Sequence, residues 1–380
     1  MVDTTQEPWT VGRCFEWTIG YFERLGVPQP RVSAEWLVTS ATGLRRIDLI
    51  IKADLPLEPA ELATIREGIQ RRVAGEPLQY ITGETAFRQL SIACEPGVLI
   101  PRPETELLVD CVLEYLDRNV TGWVKPRRER VQLPWNAEVE AARQAELAAR
   151  AAAEQEDGEA AESEQAKETE RDEGDAQSAV TAESVATENV PAEQGAEDAT
   201  EGTSPRGARV LEVGCGTGCI SLSMVSERPG CVSCVATDIS EEAVSLARRN
   251  RERLGIAPEA LDIRLGDLVQ PVLPEERSSF DVLVSNPPYV PTAVLEAIPH
   301  EVRDFEPHLA LDGGEDGLEI FRRLVSVAPY VLKQDGLLAC ELFEDSLKEA
   351  AAIAKSAGMH DVRIIEDLTG RQRFLFAHTG

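Results

Sequence analysis

The sequence feature that most constrains the fold is a glycine loop between an apolar segment and a helical one. The apolar run ARVLEV ends at Val213, and the loop EVGCGTG leads directly into CISLSMVSE. Glycines at such a junction allow the tight turn that opens a βαβ unit. Asp238 ends the next apolar run, 20 residues after Gly218. This spacing predicts a site for an adenosine-containing cofactor at the carboxyl ends of parallel strands.

Strand-like and helix-like segments alternate from Ala208 onward. The apolar runs CVSCVATD, LDIRLGD, FDVLVS and GLLACELF are separated by helical spacing, as in EEAVSLARRNRERLG and residues 318–332. The last two runs, DVRIIEDL and RFLFAHT, lie too close together for a helical crossover and predict a terminal antiparallel pair. We therefore expect an α/β fold with a doubly wound, mostly parallel, Rossmann-like sheet.

The chain before this region reads differently. Residues 1–84 show helical periodicity, with apolar positions that predict three helices: Trp9, Ile19, Phe22 and Leu25; Ala34, Leu37, Val38 and Ala41; Leu62, Ile65, Ile69 and Val73. This predicts a small helical bundle. Residues 85–100 predict a hairpin or extended connector in which Gly97 supplies the turn. We place the start of the second domain, residues 101–380, at the helical run that follows Pro101 and Pro103.

An acidic insert at about 120–207 interrupts the second domain. From Ala137 to Arg206 the chain has no aromatic residue or cysteine, and Ala, Glu, Gln, Ser and Thr dominate. Such a composition buries too little apolar surface to offset the entropy of ordering. We expect the insert to be disordered, apart from helix near Ala137–Ala153.

Charge and cysteine content exclude several classes of protein. The net charge of -29 argues against a protein that binds a phosphate backbone. The eight cysteines are scattered through apolar segments, as expected for reduced cytoplasmic thiols. Cys215 and Cys219 with Cys231 and Cys234 are the alternative, a zinc site, but the glycine turn explains the first pair better. We expect no metal, no signal peptide and no membrane span.

The glycine loop predicts a particular cofactor. It reads G-x-G-x-G rather than the G-x-G-x-x-G of dinucleotide sites, and Glu212 precedes the first glycine by two residues. A carboxylate there would repel a pyrophosphate, but it suits the cationic methionine end of S-adenosylmethionine. Asp238 is placed to accept from ribose hydroxyls, and Asp267 is a candidate partner for the adenine amino group. The remaining candidate contacts in the loop are Gly214, Cys215, Gly216, Thr217 and Gly218.

A second motif, Asn286-Pro287-Pro288-Tyr289, follows the apolar strand FDVLVS. The prolines stiffen the loop and remove backbone donors, which leaves the Pro287 carbonyl free to accept. With the Asn286 oxygen it can accept both hydrogens of an amide and aim the nitrogen at an activated methyl group. The Tyr289 ring would pack against the amide plane. The motif predicts a substrate site at Asn286, Pro287, Pro288 and Tyr289, with Asn286, Pro287 and Tyr289 as the catalytic residues.

Together these residues resemble the release-factor glutamine methyltransferase family. The resemblance extends to EPLQYITGE at 76–84, Phe87, PGVLIPRPETELLV at 96–109, and FEP at 305–307 with the glycines that follow. It covers about 1–118 and 208–380 and is weakest in the first 75 residues. It implies a class I methyltransferase that methylates N5 of the glutamine in the Gly-Gly-Gln motif of bacterial class I peptide chain release factors.

The resemblance also implies roles for individual segments. Leu268 and Asn286 would contact S-adenosylmethionine, and the N-terminal bundle would help to dock the release factor. Two positions depart from the family pattern: Leu268 stands where an aromatic residue is usual, and Glu341-Leu342-Phe343 replaces Glu-Ile-Gly. These departures put the adenine packing and one edge of the site in doubt. We expect a cytoplasmic monomer that does not bind nucleic acid or membranes.

Two other functions remain open. An adenine-specific or other nucleic-acid methyltransferase would use the same motif on an exocyclic amine, but it would need base extrusion and a basic groove. A non-catalytic binding or regulatory protein is the second, although both motifs are intact. The acidic composition and the intact motifs favour the protein methyltransferase.

The insert provides the first test. Because its composition predicts a disordered linker, we expect deletion of Ala137–Arg206 to leave methyl transfer largely intact. The initial rates of the full-length and trimmed proteins measure this, with circular dichroism as the check on folding. A large loss of activity in a folded, trimmed protein would overturn the linker interpretation.

Overall fold

The structure, a computed structural model, describes residues 8–124, 141–143, 145 and 207–380. Most of the acidic insert, and with it the predicted disorder, lies outside the described residues; within the helix predicted near Ala137–Ala153, the four described residues, 141–143 and 145, are helical. Within the described part of the chain, no helix is both long and apolar enough to cross a bilayer.

The N-terminal region is helical, as its periodicity predicts. The helices are α1 (Val11–Leu25), α2 (Pro30–Thr42), α3 (Asp48–Ile51), α4 (Pro59–Val73) and α5 (Leu78–Thr82). The Thr10 hydroxyl caps α1 by accepting from the Arg13 N–H, and Gly26 ends the helix in the left-handed conformation. A single residue, Gly83, connects α5 to the hairpin.

The bundle core contains most of the predicted apolar residues, including Ile19, Phe22 and Ile65. Two of these residues lie in helices, as predicted, but outside the core. Leu25 is 50% exposed and Val73 is 40% exposed, because each is the last residue of its helix and extends past the packed face. Periodicity predicts which face of a helix is buried, but it does not predict where the packing partner ends.

The hairpin consists of β1 (Glu84–Phe87) and β2 (Leu90–Ala93), with Phe87 and Ile92 fully buried. Gly97 supplies a turn after β2, as predicted, with a φ of 93°, whereas the hairpin itself turns elsewhere. The chain turns at Arg88, whose φ of 54° is unusual for a residue with a side chain. Arg88 also pairs with Glu227 and donates to the Glu106 carbonyl, so these contacts hold the turn against the second domain.

Seven strands form the main sheet, in the order β5-β4-β3-β6-β7-β9-β8. The first five are mutually parallel, whereas β9 runs antiparallel to β7 and β8 antiparallel to β9. Their bounds are β3 (Ala208–Val213), β4 (Val232–Asp238), β5 (Leu261–Leu265), β6 (Phe280–Ser285), β7 (Leu332–Glu341), β8 (His360–Glu366) and β9 (Gln372–His378). The predicted terminal antiparallel pair is confirmed.

Helices cover both faces of the sheet. Successive residues of β6 point to opposite sides, so Val282 and Val284 join one core and Leu283 joins the other. The helices of the first core are α6 (Thr105–Leu116), α7 (Cys219–Glu227) and α8 (Glu241–Arg253). Those of the second are α11 (Glu319–Val331) and α12 (Leu347–Ser356); two short helices, α9 (His300–Arg303) and α10 (His308–Leu311), precede them. The predicted doubly wound, mostly parallel fold is confirmed.

Asn250 of α8 joins the hairpin to the glycine loop. Its Oδ1 accepts from the Ala93 N–H at 2.8 Å, and its Nδ2 donates to the Ala93 carbonyl at 3.2 Å and to the Thr217 carbonyl at 3.0 Å. The side chain is 1% exposed. Because buried backbone groups need partners, this one amide satisfies three groups that water does not reach.

We therefore predict that Asn250→Ala lowers the free energy of unfolding by about 2–4 kcal/mol, since it leaves several buried polar groups unpaired. Urea denaturation measures the change. Asn119→Ala is the control, because Asn119 is exposed, and it should alter stability by less than about 1 kcal/mol. Equal effects of the two substitutions would contradict the role given to Asn250.

Candidate functional site

A cavity of about 270 Å³ lies at the carboxyl ends of β3, β4, β5 and β6. This is the edge of a doubly wound sheet at which ligands bind. Eleven of the residues predicted from the sequence line the cavity: Glu212, Gly214, Cys215, Gly216, Thr217, Asp238, Asp267, Leu268, Asn286, Pro287 and Pro288. The two motifs therefore face one space.

The two motifs meet because β3 and β6 are neighbours in the sheet. Val213 is in register with Ser285, and the Ser285 hydroxyl donates to the Val213 carbonyl at 2.7 Å. The glycine loop begins directly after Val213, and Asn286 directly follows Ser285. One buried hydrogen bond thus fixes the starting points of both loops relative to each other.

Gly218 and Tyr289 are not among the cavity-lining residues. Gly218 stands immediately before α7 with a φ of 81°, and a Cβ there would lie 3.2 Å from both Ala247 Cβ and Leu222 Cδ1. Its lack of a side chain permits close packing of α7 on α8 rather than a cofactor contact. Tyr289 packs against the second core, and its hydroxyl donates to Glu341 Oε1 at 3.5 Å.

Asp238 holds the glycine loop as well as facing the cavity. Its Oδ2 accepts from the Gly216 N–H at 2.8 Å, and its Oδ1 accepts from the Ser240 N–H at 2.9 Å. Burial raises the pKa of Asp238, and these backbone donors oppose the rise. Since each carboxylate oxygen has a second lone pair, the group retains capacity for ribose hydroxyls.

Glu212 is 1% exposed at the end of β3. Its Oε2 accepts from the Ser221 N–H at 3.0 Å, near the N-terminus of α7, whereas its Oε1 has no hydrogen-bond partner among the described residues. Burial raises the pKa of Glu212 to about 8, and the Ser221 bond opposes the rise. A buried acceptor left unpaired beside the cavity fits a ligand that brings a cationic or donor group.

The segment that follows β5 brings Asp267 and Leu268 to the cavity. Asp267 pairs at 2.5 Å with Arg323 of α11, which also lines the cavity, so an ion pair holds this carboxylate. Leu268 adopts a φ of 49°, and its carbonyl accepts from the Thr237 hydroxyl at 2.8 Å. The strained residue is therefore held by the end of β4. Its aliphatic side chain gives the cavity an apolar wall at this point.

Asn286 has partners that sequence reasoning missed. Its Nδ2 donates to Thr105 Oγ1 at 3.1 Å, and the Thr105 hydroxyl donates to Glu341 Oε2 at 2.7 Å. Thr105 and Glu341 are each 2% exposed. Glu341 had a signal in the sequence, because a carboxylate at the carboxyl end of a strand beside β6 faces the ligand edge.

The segment after the hairpin also forms part of the site. Gly97–Arg102 line the cavity, and the Tyr80 hydroxyl donates to the Val98 carbonyl at 2.7 Å. Glu306 accepts from the Ile100 N–H at 3.3 Å and from Arg102 at 2.6 Å. The sequence contained this segment as a family-like junction, but nothing in its pattern located it over the glycine loop.

The donors and acceptors around the cavity fit S-adenosylmethionine. The glycine loop brings backbone close to the ligand space, Asp238 faces it, and the unpaired Glu212 oxygen lies beside it. A pyrophosphate would instead meet the carboxyl groups of Glu212 and Asp238, and the Asp238 carboxylate would repel it. S-adenosylmethionine is therefore the cofactor of this site.

Comparison with known proteins gives the same assignment. The PrmC N-terminal domain family matches residues 14–83, and the methyltransferase small domain family matches residues 199–302. The chain is 31% identical to the release factor glutamine methyltransferase of Geobacter sulfurreducens, over 99% of this chain and 100% of that protein. It is 30% identical to the protein of that name from Moorella thermoacetica, over 93% of each.

A human protein is similar as well. The MTRF1L release factor glutamine methyltransferase of Homo sapiens is 30% identical, over 94% of this chain and 84% of that protein. These matches run through the bundle, the hairpin and the sheet, and they are not confined to the cofactor-binding half. The chain belongs to the release factor glutamine methyltransferase family.

Proposed function

We propose that this protein methylates the side-chain amide nitrogen of the glutamine in the Gly-Gly-Gln motif of class I peptide chain release factors. The observation that carries the proposal is the pairing of β3 with β6, which brings the glycine loop and Asn286 to one cavity. An enzyme that transfers a methyl group to an amide needs a cofactor site and an amide-holding site in contact. Full-length similarity to enzymes named for this substrate supports the same conclusion.

Asn286 is suited to hold an amide because of how its own carboxamide is bonded. Its Nδ2 donates to Thr105, which leaves Oδ1 as the free end, and Oδ1 is an acceptor. With the Pro287 carbonyl it supplies two acceptors for the two hydrogens of the glutamine amide. Both hydrogens are then directed away from the cofactor, and the nitrogen electron density is directed toward it.

The protein's contribution is mainly positioning. When bound, S-adenosylmethionine supplies a methyl group already activated by its sulfonium. Pro287 and Pro288 stiffen the loop, so little motion remains to be frozen when the glutamine enters. Cavity walls from Val98 and Ile100 exclude water from the nitrogen. We assign the catalytic roles to Asn286 and Pro287, with Tyr289 supporting the loop from behind.

The bundle and the net charge bear on which partner the protein binds. The bundle docks the release factor, since α4 and the segment after it adjoin α9, which follows the Asn286 loop: Arg72 pairs with Glu301 at 3.0 Å. The net charge of -29 favours a basic protein partner over a nucleic acid. We propose that the protein acts as a monomer in the cytoplasm.

Mass spectrometry of an unmodified release factor incubated with the protein and S-adenosylmethionine tests the proposal. We expect a gain of one methyl group on the Gly-Gly-Gln glutamine. Asn286→Ala should lower kcat/KM by about 100- to 1000-fold, because it removes an acceptor that orients the reacting nitrogen. Asn119→Ala, at an exposed site, should retain full activity.

The same experiment with DNA and RNA as acceptors separates the competing function. Transfer to a nucleobase, without transfer to the release factor, would mean that the Asn286 loop serves an exocyclic amine. Transfer to the release factor at a residue other than the glutamine would contradict the amide-holding geometry.

Glu212→Gln tests the cofactor side. Glutamine keeps the shape and can still accept from Ser221, but it replaces a carboxylate oxygen by a donor. At about pH 9, above the pKa of Glu212, we expect affinity for S-adenosylmethionine, measured by calorimetry, to fall about 10- to 100-fold, as for loss of a charged hydrogen bond. Glu259→Gln is the control, because Glu259 is exposed. Unchanged affinity would show that Glu212 serves only to cap α7.

A further inference from the structure

A chain of hydrogen bonds runs behind the Asn286 loop. Asn286 Nδ2 donates to Thr105 Oγ1, and Thr105 Oγ1 donates to Glu341 Oε2, at 3.1 and 2.7 Å. On the other carboxylate oxygen, Glu341 accepts from the Tyr289 hydroxyl at 3.5 Å. One buried carboxylate therefore reaches both ends of the Asn286–Tyr289 turn.

Counting protons shows which group donates in each of these hydrogen bonds. A threonine hydroxyl has a single proton, and here that proton is committed to Glu341. Toward Asn286 the hydroxyl can therefore only accept. It selects the NH₂ end of the Asn286 carboxamide and rejects the oxygen end. The carboxylate of Glu341, which can only accept while ionised, thus determines which end of Asn286 faces the cavity.

We propose that Thr105 and Glu341 are positioning residues that hold the Asn286 carboxamide with Oδ1 toward the acceptor glutamine. This inference rests on the proposed role of Asn286 in binding that glutamine. Thr105 also lines the cavity, whereas Glu341 is not among its lining residues, and the positioning role of the two residues acts through Asn286. Without them the carboxamide can rotate by half a turn and present hydrogens, rather than an acceptor, to the substrate amide.

The locations of the two residues support a dedicated arrangement. Thr105 is the first residue of α6 and Glu341 is the last residue of β7, 236 positions apart in sequence. Each is 2% exposed, so the hydrogen bonds form away from water. Burying a carboxylate is unfavourable unless its interactions compensate. Here the two compensating donors are the Tyr289 hydroxyl, from the Asn286 loop, and the Thr105 hydroxyl, from α6.

The surroundings of Glu341 make its charge sensitive to pH. The pKa of Glu341 is raised to about 7, chiefly by burial and also by the nearby charge of Glu104, just before α6. The Thr105 hydroxyl, Arg373 of β9 and the Tyr289 hydroxyl oppose the rise. Above about pH 7 the carboxylate accepts from Thr105. Below that pH the protonated carboxyl can donate to Thr105, whose own proton can then turn to Asn286 Oδ1.

Substitutions at Thr105 and Glu341 test the arrangement with the full-length protein and a release factor as acceptor. Thr105→Val removes the hydroxyl without changing the shape, and we expect kcat to fall about 10- to 100-fold with the KM for S-adenosylmethionine little changed. Thr105→Ser keeps the hydroxyl and should restore most of the activity. A kcat for Thr105→Val close to that of the wild type would overturn the proposal.

Glu341→Gln separates positioning from packing. Glutamine fills the same space but can donate to Thr105, which reverses the chain, so kcat should fall by a similar factor. In the wild-type protein kcat should decrease about tenfold per pH unit below about pH 7. That acid limb should disappear in Glu341→Gln and persist in Thr105→Ser. An acid limb retained in Glu341→Gln would assign it to another group and contradict the pH dependence.

A measurement without acceptor keeps this inference distinct from the proposed function. The protein has five asparagines, so ¹⁵N-asparagine labelling gives few side-chain signals. The signal that disappears in Asn286→Ala is that of Asn286. That signal should shift in Thr105→Val and Glu341→Gln but much less in Thr105→Ser. If the wild type fails to methylate the release factor yet the signal responds in this way, the proposed function fails and the hydrogen-bond chain stands. An Asn286 signal that does not respond to any of the three substitutions would refute the hydrogen-bond chain.

Discussion

The site depends on one constraint, the parallel pairing of β3 with β6. Strand order places these two strands at the centre of the sheet, where β4 lies on one side and β7 on the other. Their register brings Val213 and Ser285 level, and the Ser285 hydroxyl fixes that level by a buried bond to the Val213 carbonyl. Each strand continues into one of the two chemistry-bearing loops. A slip of register would separate the glycine loop from Asn286, and neither loop alone could transfer a methyl group.

The sequence was sufficient to predict the sheet and the two loops, because their signals are local. An apolar run followed by glycines, or by Asn-Pro-Pro-Tyr, is read within ten residues. What the sequence did not predict depends on partners that are distant in the chain. Leu25 fits the helical period but is half exposed at the end of α1, and Arg88 tolerates a left-handed turn because Glu227 and α6 hold its side chain. No local pattern contains those partners.

The same limit explains which site residues were missed. Thr105 lies in a family-like segment and Glu341 at the end of a strand, but 236 positions separate them, so no local pattern shows their hydrogen bond. Gly218 has a packing role that the motif did not predict, since Ala247 and Leu222 leave little room for a side chain there. Local motif spacing identifies the loop. Tertiary contacts determine which of its residues face the cavity and which pack against neighbouring helices.

The hairpin segment connects the bundle to this centre. Tyr80 of α5 donates to the Val98 carbonyl, and Val98 lines the cavity within reach of the glycine loop. Asn250 ties the end of the hairpin to Thr217 in that loop. Both contacts use buried side chains that donate to or accept from backbone, the kind of bond that fixes a loop without restricting its sequence. The segment that joins the bundle to the sheet therefore also forms one wall of the cofactor site.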